Sequence, residues 1–173
     1  LIVLMVIVFA LGTFGMNFQI YNATMATEVF GKGAQEYGLL GTIMAIGTLG
    51  AALAATRRTQ PGLRTVLAAL GAFAVSTALL SAAPSFVVYA ILLVPTGFFA
   101  LTVMTTANAA VQLATAPQFR GRVMAVYMAI FIGGTPLGAP LIGWLGELWG
   151  PRAMVLIGAL TTGAAALGVL AYL

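Results

Sequence analysis

None of the ten charged residues falls in the interior of any of six long apolar stretches, and this decides the solvent in which the chain folds. The stretches run at about Leu1–Thr27, Tyr37–Ala55, Thr65–Ala83, Phe86–Leu113, Val123–Leu148 and Ala153–Leu173. Each is long enough for an α-helix to cross a hydrocarbon layer, which takes roughly 20 residues. A charge near the bilayer centre is costly, so its confinement to the ends is what lipid demands. The runs are too long and too uniformly apolar for membrane strands, which alternate over about 10 residues. Composition agrees: 62% of residues are hydrophobic, 6% are charged and the mean hydropathy is +1.11, far beyond what a soluble domain of 173 residues needs. The predicted fold is all-α, a polytopic membrane bundle of six transmembrane helices forming one domain over residues 1–173 with the lipid bilayer as its surroundings.

What the chain lacks narrows its chemistry. It has no cysteine, histidine or aspartate. Thiolate metal sites, catalytic triads and paired-carboxylate chemistry therefore lose most of their parts. No enzyme activity and no cofactor are expected. The net charge of +4 comes from seven basic residues scattered over short loops, which make no stripe for nucleic acid. Gly31, Lys32 and Gly33 read as a turn, without the surrounding pattern of a phosphate loop.

Placement of the basic residues predicts orientation. Arg57, Arg58 and Arg64 follow the second span, and Arg120 and Arg122 follow the fourth; Lys32 and Arg152 lie on the opposite side. The positive-inside rule makes the richer side cytoplasmic, with both chain ends there too. Trp144, Trp149 and Tyr172 near span ends read as interfacial anchors. Leu1 stands within an apolar run, without an initiator Met or a basic leader, so further chain is expected before it.

A weak internal repeat relates the two halves. At an offset of 88 residues, Met16 aligns with Met104, Gly50 with Gly138, Leu53 with Leu141, Gly62 with Gly150 and Arg64 with Arg152. Spans one to three thus map onto four to six, and an odd number of crossings per copy makes the repeat an inverted one, 3+3.

Two polar stripes recur at helical spacing. Asn17, Tyr21, Thr24 and Glu28 share a face of the first span, and Thr102, Thr105, Asn108 and Gln112 share a face of the fourth. Amides facing lipid would leave donors and acceptors unpaired, so the stripes face either a wet solute pathway or another helix. Their repeat-related positions favour the pathway, with Asn17, Tyr21, Thr24, Thr102, Thr105, Asn108 and Gln112 as substrate-binding residues. Phe14, Phe18, Phe98 and Phe99 would add aromatic walls.

In the fifth span, Pro136 and Pro140 remove two backbone donors, while Gly134 and Gly138 form a small-xxx-small face admitting another helix closely. A bent, tightly packed helix is expected there. Pro95 with Gly97 invites the same reading in the fourth span, and these residues are either bending and gating points or the ordinary Pro and Gly of membrane helices.

Residues Gln118–Arg152 read QFRGRVMAVYMAIFIGGTPLGAPLIGWLGELWGPR, and Asn17–Arg57 read NFQIYNATMATEVFGKGAQEYGLLGTIMAIGTLGAALAATR. The first resembles the tenth-to-eleventh loop, eleventh helix and following loop of the major facilitator superfamily, in its branch of enterobactin-type and macrolide exporters. The second resembles helices seven and eight of that branch. The Arg57–Arg64 loop departs from the family's cytoplasmic loop motif in lacking the acidic residue, and Ala139 stands where the antiporter signature carries a second Gly.

The resemblance implies the C-terminal half of a twelve-helix transporter, partnered by an N-terminal six-helix half and exporting a small-molecule substrate from the bacterial inner membrane. It also implies that the first and fourth spans line the central cavity. Secondary-active efflux of small amphipathic solutes by alternating access is the expected function; an importer or facilitator of the same fold, or a non-transporting scaffold, is the alternative. No carboxylate lies deep within a span, so a proton-coupling group is expected in the other half.

Overall fold

A computed structural model describes residues 1–57 and 62–172, and six helices in it are long and apolar enough to cross a membrane. They are α1 (Ile2–Val29), α2 (Ala34–Ala55), α3 (Leu63–Ser81), α4 (Phe86–Leu113), α5 (Arg120–Trp149) and α6 (Pro151–Tyr172). No strand occurs among the described residues. In lipid the backbone has no water to bond, and a helix satisfies its own donors and acceptors, which is why each apolar run takes this form.

The ends differ from the sequence expectation where charge rather than hydropathy marks them. α5 begins at Arg120, so Arg120 and Arg122 ride on its first turn instead of preceding it. A helix can continue past the hydrocarbon edge as long as its side chains reach water. Local caps set the other limits. Ser85 Oγ accepts from Val88 N at 3.4 Å to start α4, and Gly33 N donates to Glu36 Oε2 at 3.1 Å at the start of α2. Gly150, at φ +84°, makes the one-residue turn between α5 and α6, a left-handed conformation that glycine adopts without strain. Two residues on, Arg152 donates to Ser81 O at 3.0 Å and Ala83 O at 2.8 Å, satisfying carbonyls that the end of α3 leaves open.

Packing follows the inverted repeat. α2 packs on α4 as α5 packs on α1, α3 packs on α4 as α6 packs on α1, and α3 and α6 pack on each other. Swapping the first three helices for the last three maps these neighbours onto one another, while α5 also packs on α6 more than α2 does on α3. Lipid is as apolar as leucine, so helix association here depends on close fit rather than on burial of apolar surface.

Glycine supplies the fit. A Cβ at Gly47 of α2 would overlap Val94 O, and one at Gly97 of α4 would lie 3.0 Å from Met44 Cγ and tight against its carbonyl. α2 and α5 bury only narrow stripes, Leu40, Gly47 and Ala51 on one and Tyr127, Gly134, Gly138 and Ile142 on the other. Their remaining apolar surface, including Ile46, Leu49, Ile132 and Leu137, is exposed.

Between α1 and α4 a polar contact replaces backbone packing. Tyr89 is fully buried and its hydroxyl donates to Asn22 Oδ1 at 2.9 Å, with Phe30 against the Tyr89 ring at 5.7 Å. Tyr89→Phe is expected to leave that carbonyl oxygen without a donor and to cost roughly 1–2 kcal/mol. The check is a lower melting temperature of the purified protein, with most of the loss absent when the same change is made on an Asn22→Leu background.

Candidate functional site

Regular helix fails in α1, the element that touches most of the bundle. α-helix over Ile2–Ala10 gives way to π-helix at Leu11–Gly15, breaks at Met16 and Asn17, resumes at Phe18–Thr24 and widens again at Met25–Val29. Irregular backbone at membrane depth is tolerated where protein covers it, and π-bulges concentrate at functional sites. α5 provides the cover. Cβ atoms at Gly134 and Gly138 would run into Thr13, at 2.6 Å from its Oγ1 for Gly134 and onto its carbonyl for Gly138. Thr135 Oγ1 donates across to Gly12 O at 3.3 Å.

The α1 stripe is divided by this geometry. Asn17 is 3% exposed and its Nδ2 donates to Thr13 O at 2.7 Å, across the break. Tyr21 is fully buried, its hydroxyl donates to Phe14 O, and Gly158 of α6 leaves the space it fills. Phe18 stands edge-on to both Tyr21 and Phe73, at 5.6 and 6.1 Å. Asn17 and Tyr21 are therefore held inside the six-helix unit, among α1, α5 and α6. Thr24 lies further along, donating to Ile20 O at 2.9 Å.

The α4 stripe reaches open space. Thr102 is buried, whereas Thr105, Asn108 and Gln112 are half-buried. Thr105 Oγ1 donates to Leu101 O at 2.8 Å, and Gln112 Nε2 donates to Asn108 Oδ1 at 2.6 Å. That leaves the Asn108 amide protons facing a groove of about 290 Å³ between α4 and α5, lined by Leu101, Met104, Thr105, Asn108, Tyr127, Met128 and Phe131. Tyr127 and the two methionines are wall residues that the stripe argument missed. The signal for them was available: Tyr127 lies close to the start of the fifth span, one helical turn ahead of Phe131. The groove is small, mostly apolar, and carries a hydroxyl, an amide and a phenol at fixed points, the mixture expected of a small-molecule site.

Two further openings flank the α1–α5 crossing. Because the helices touch at backbone distance near Thr13, they diverge to either side. Towards Glu28 the gap is a pocket of about 220 Å³ lined by Thr24, Glu28, Gly143, Gly146, Glu147 and Met154. Towards Leu1 it is a larger apolar groove.

The residues singled out for bending lie apart from these openings. α5 runs as unbroken α-helix through Pro136 and Pro140, both exposed on its outer side, while Gly134 and Gly138 face α1. Pro95 borders an apolar groove between α2 and α4. Arg57 and Arg64 are exposed, Arg120 Nε donates to Gln112 O at 3.2 Å at the end of α4, and Arg122 is exposed. Arg58 lies outside the described residues.

The family model described as Major Facilitator Superfamily matches residues 4–173, nearly the whole chain. The chain belongs to that superfamily. A search of curated proteins finds no match. Membership of the Major Facilitator Superfamily makes this an integral membrane transport protein, in keeping with its six apolar helices and the repeat-symmetric packing of α1–α3 against α4–α6.

Proposed function

We propose that this Major Facilitator Superfamily chain is one six-helix half of a secondary-active exporter, moving small amphipathic solutes by alternating access against a second bundle. The groove between α4 and α5 carries the proposal. Its Thr105 hydroxyl and Asn108 amide offer directed hydrogen bonds inside a wall of Leu101, Met104, Met128 and Phe131, which suits a solute that is apolar over most of its surface and polar at one or two points. No charged residue lines it, so a solute with strong net charge would find no counter-ion there. The tight α1–α5 crossing at Gly134 and Gly138, open to both sides, is a shape on which the helices could rock. Export rather than import is supported by the resemblance of Gln118–Arg152 to exporters, and the placement in a bacterial inner membrane has the same support.

The test is transport by the full-length protein, both halves included, in liposomes under an imposed proton gradient. Concentrative movement of a lipophilic fluorescent amine or a neutral macrolide is expected; downhill equilibration alone would make the protein a facilitator, and no movement would make it a scaffold. Residues 1–173 alone should move neither compound, since half a cavity has no opposite gate.

Orientation has its own measurement. The chain has no native cysteine, so single cysteines at Gln118, Gly33 and Ser85 report cleanly. Gln118 is expected to react with an impermeant thiol reagent only from the cytoplasmic side, and Gly33 and Ser85 only from outside. Reversed labelling would reverse the transport direction as well.

A further inference from the structure

Thr105, Asn108 and Tyr127 are the polar side chains bordering the α4–α5 groove, and two of them have already committed their protons. Thr105 Oγ1 donates to Leu101 O at 2.8 Å and Tyr127 Oη to Met104 O at 3.5 Å, so each turns only lone pairs towards a solute. Among the described residues, the amide protons of Asn108 are the one uncommitted donor on the groove wall. A primary amide can face a groove either way round, with its protons or with its oxygen, because the two ends are alike in size. Gln112 removes that choice. It lies one turn further along α4, outside the groove lining, and its Nε2 donates to Asn108 Oδ1 at 2.6 Å. The oxygen is thereby occupied, and the protons are left for the groove. Gln112 is itself tethered, since its carbonyl accepts from Arg120 Nε at 3.2 Å, a bond that joins the last turn of α4 to the first of α5.

We propose, resting on the reading of this groove as the solute site, that Gln112 is a positioning residue: by holding Asn108 Oδ1 it makes the groove select neutral solutes that carry a carbonyl or ether oxygen. Such an oxygen meets the Asn108 amide protons inside a wall of Leu101, Met104, Met128 and Phe131, where low local polarity strengthens a directed bond. A solute offering only an N–H or O–H finds Thr105 and Tyr127 instead, whose lone pairs do not depend on Gln112. Removing the Gln112 amide therefore acts on one class of solute and spares the other. A residue that only braced the end of α4 would, when removed, lower stability and weaken both classes alike.

The test uses the full-length transporter purified in detergent and two neutral compounds of one planar shape: fluorenone, which only accepts a hydrogen bond, and carbazole, which only donates one. Equilibrium dialysis gives both dissociation constants, and the readout is their ratio. Gln112→Glu replaces the donor by an acceptor, so Asn108 turns its protons to the new carboxylate and its oxygen to the groove. Fluorenone binding should then weaken about tenfold relative to carbazole, the value of one directed hydrogen bond. Both compounds are neutral, so the added charge acts on them alike. Gln112→Met keeps the bulk without a hydrogen bond, and an amide left free to turn should shift the ratio the same way by about threefold. Both variants should melt with the parent, since Gln112 is half-buried at a helix end. A ratio unchanged in both would overturn the proposal, whatever their melting temperatures. Asn108→Leu tells the failures apart. If it weakens fluorenone while the Gln112 variants keep the parent ratio, the groove is the solute site and Gln112 does not set its choice. If it weakens carbazole instead, the amide faces the groove by its oxygen and the proposal is wrong. If it weakens neither, or the parent binds neither compound, the groove reading falls and the role of Gln112 falls with it.

Discussion

Gly138→Ala is expected to cost about 3 kcal/mol or more and to leave little folded protein, although it adds one methyl group to a helix. The methyl would overlap the carbonyl oxygen of Thr13 on α1, and backbone cannot swing aside as a side chain can. Overpacking against flexible neighbours typically costs about 1–3 kcal/mol, and a backbone obstacle belongs at the top of that range or above it. The helices would have to separate along their whole contact, breaking the Thr135 to Gly12 hydrogen bond and the fit at Gly134 as well.

Gly133→Ala is the control. A Cβ there meets nothing within 4 Å, so the substitution is expected to leave stability unchanged or slightly raised by better helix propensity. Melting temperatures of the two variants, measured in the same detergent, make the comparison. Equal stability of Gly138→Ala and Gly133→Ala would show that α1 and α5 do not meet at this point.

That contact also marks how far the sequence could be read. The pairing Gly134 and Gly138 announced a close approach, because small residues four apart leave a flat strip on a helix. The partner was not legible. Gly12 sits in an apolar run with no periodicity to set it apart, and Thr13, one turn before Asn17 on the polar stripe, carries no mark of which helix covers it; only three-dimensional packing brings both beneath α5. The six helices, by contrast, could be read directly, since a bilayer punishes every other arrangement of such runs. Their ends were less clear at α5, where Arg120 and Arg122 continue a helix that hydropathy alone would start later.

Irregularity was harder still. Prolines point to the fifth span, yet α5 continues through Pro136 and Pro140, and it is α1, without a proline, that breaks at Met16 and Asn17. A proline inside a helix removes a donor and crowds the carbonyl four residues earlier, yet α5 keeps its α-helical pattern through both prolines, whereas the π segments of α1 fall where α5 and α6 pack against it. No residue type marks them. The polar stripes show the same division. Helical spacing placed Asn17, Tyr21 and Thr24 on one face, but spacing cannot say what that face meets, and here α5 and α6 cover its deepest part. In α4 the equivalent face remains half open at Thr105 and Asn108.

This difference yields opposite expectations for two chemically identical substitutions. Asn108→Leu should leave the melting temperature within about 1 kcal/mol of the parent, because Asn108 is half-buried and its one side-chain partner, Gln112, can turn to water or lipid headgroups. Substrate affinity in the full-length transporter should fall about tenfold, the value of one directed hydrogen bond made in a groove. The loss should be largest for solutes carrying a carbonyl or ether acceptor, which the free amide protons of Asn108 would meet.

Asn17→Leu should do the reverse. Its Nδ2 bonds Thr13 O across the break in α1, at 3% exposure, so removing it leaves a buried carbonyl without its side-chain donor and costs roughly 1–3 kcal/mol. Protein that does fold should bind substrate as before, since Asn17 does not border the α4–α5 groove. Affinity and melting temperature measured on the same purified samples separate the cases. An affinity loss in Asn17→Leu with unchanged stability would move the site to α1, and unchanged affinity in Asn108→Leu would remove the α4–α5 groove from the transport path.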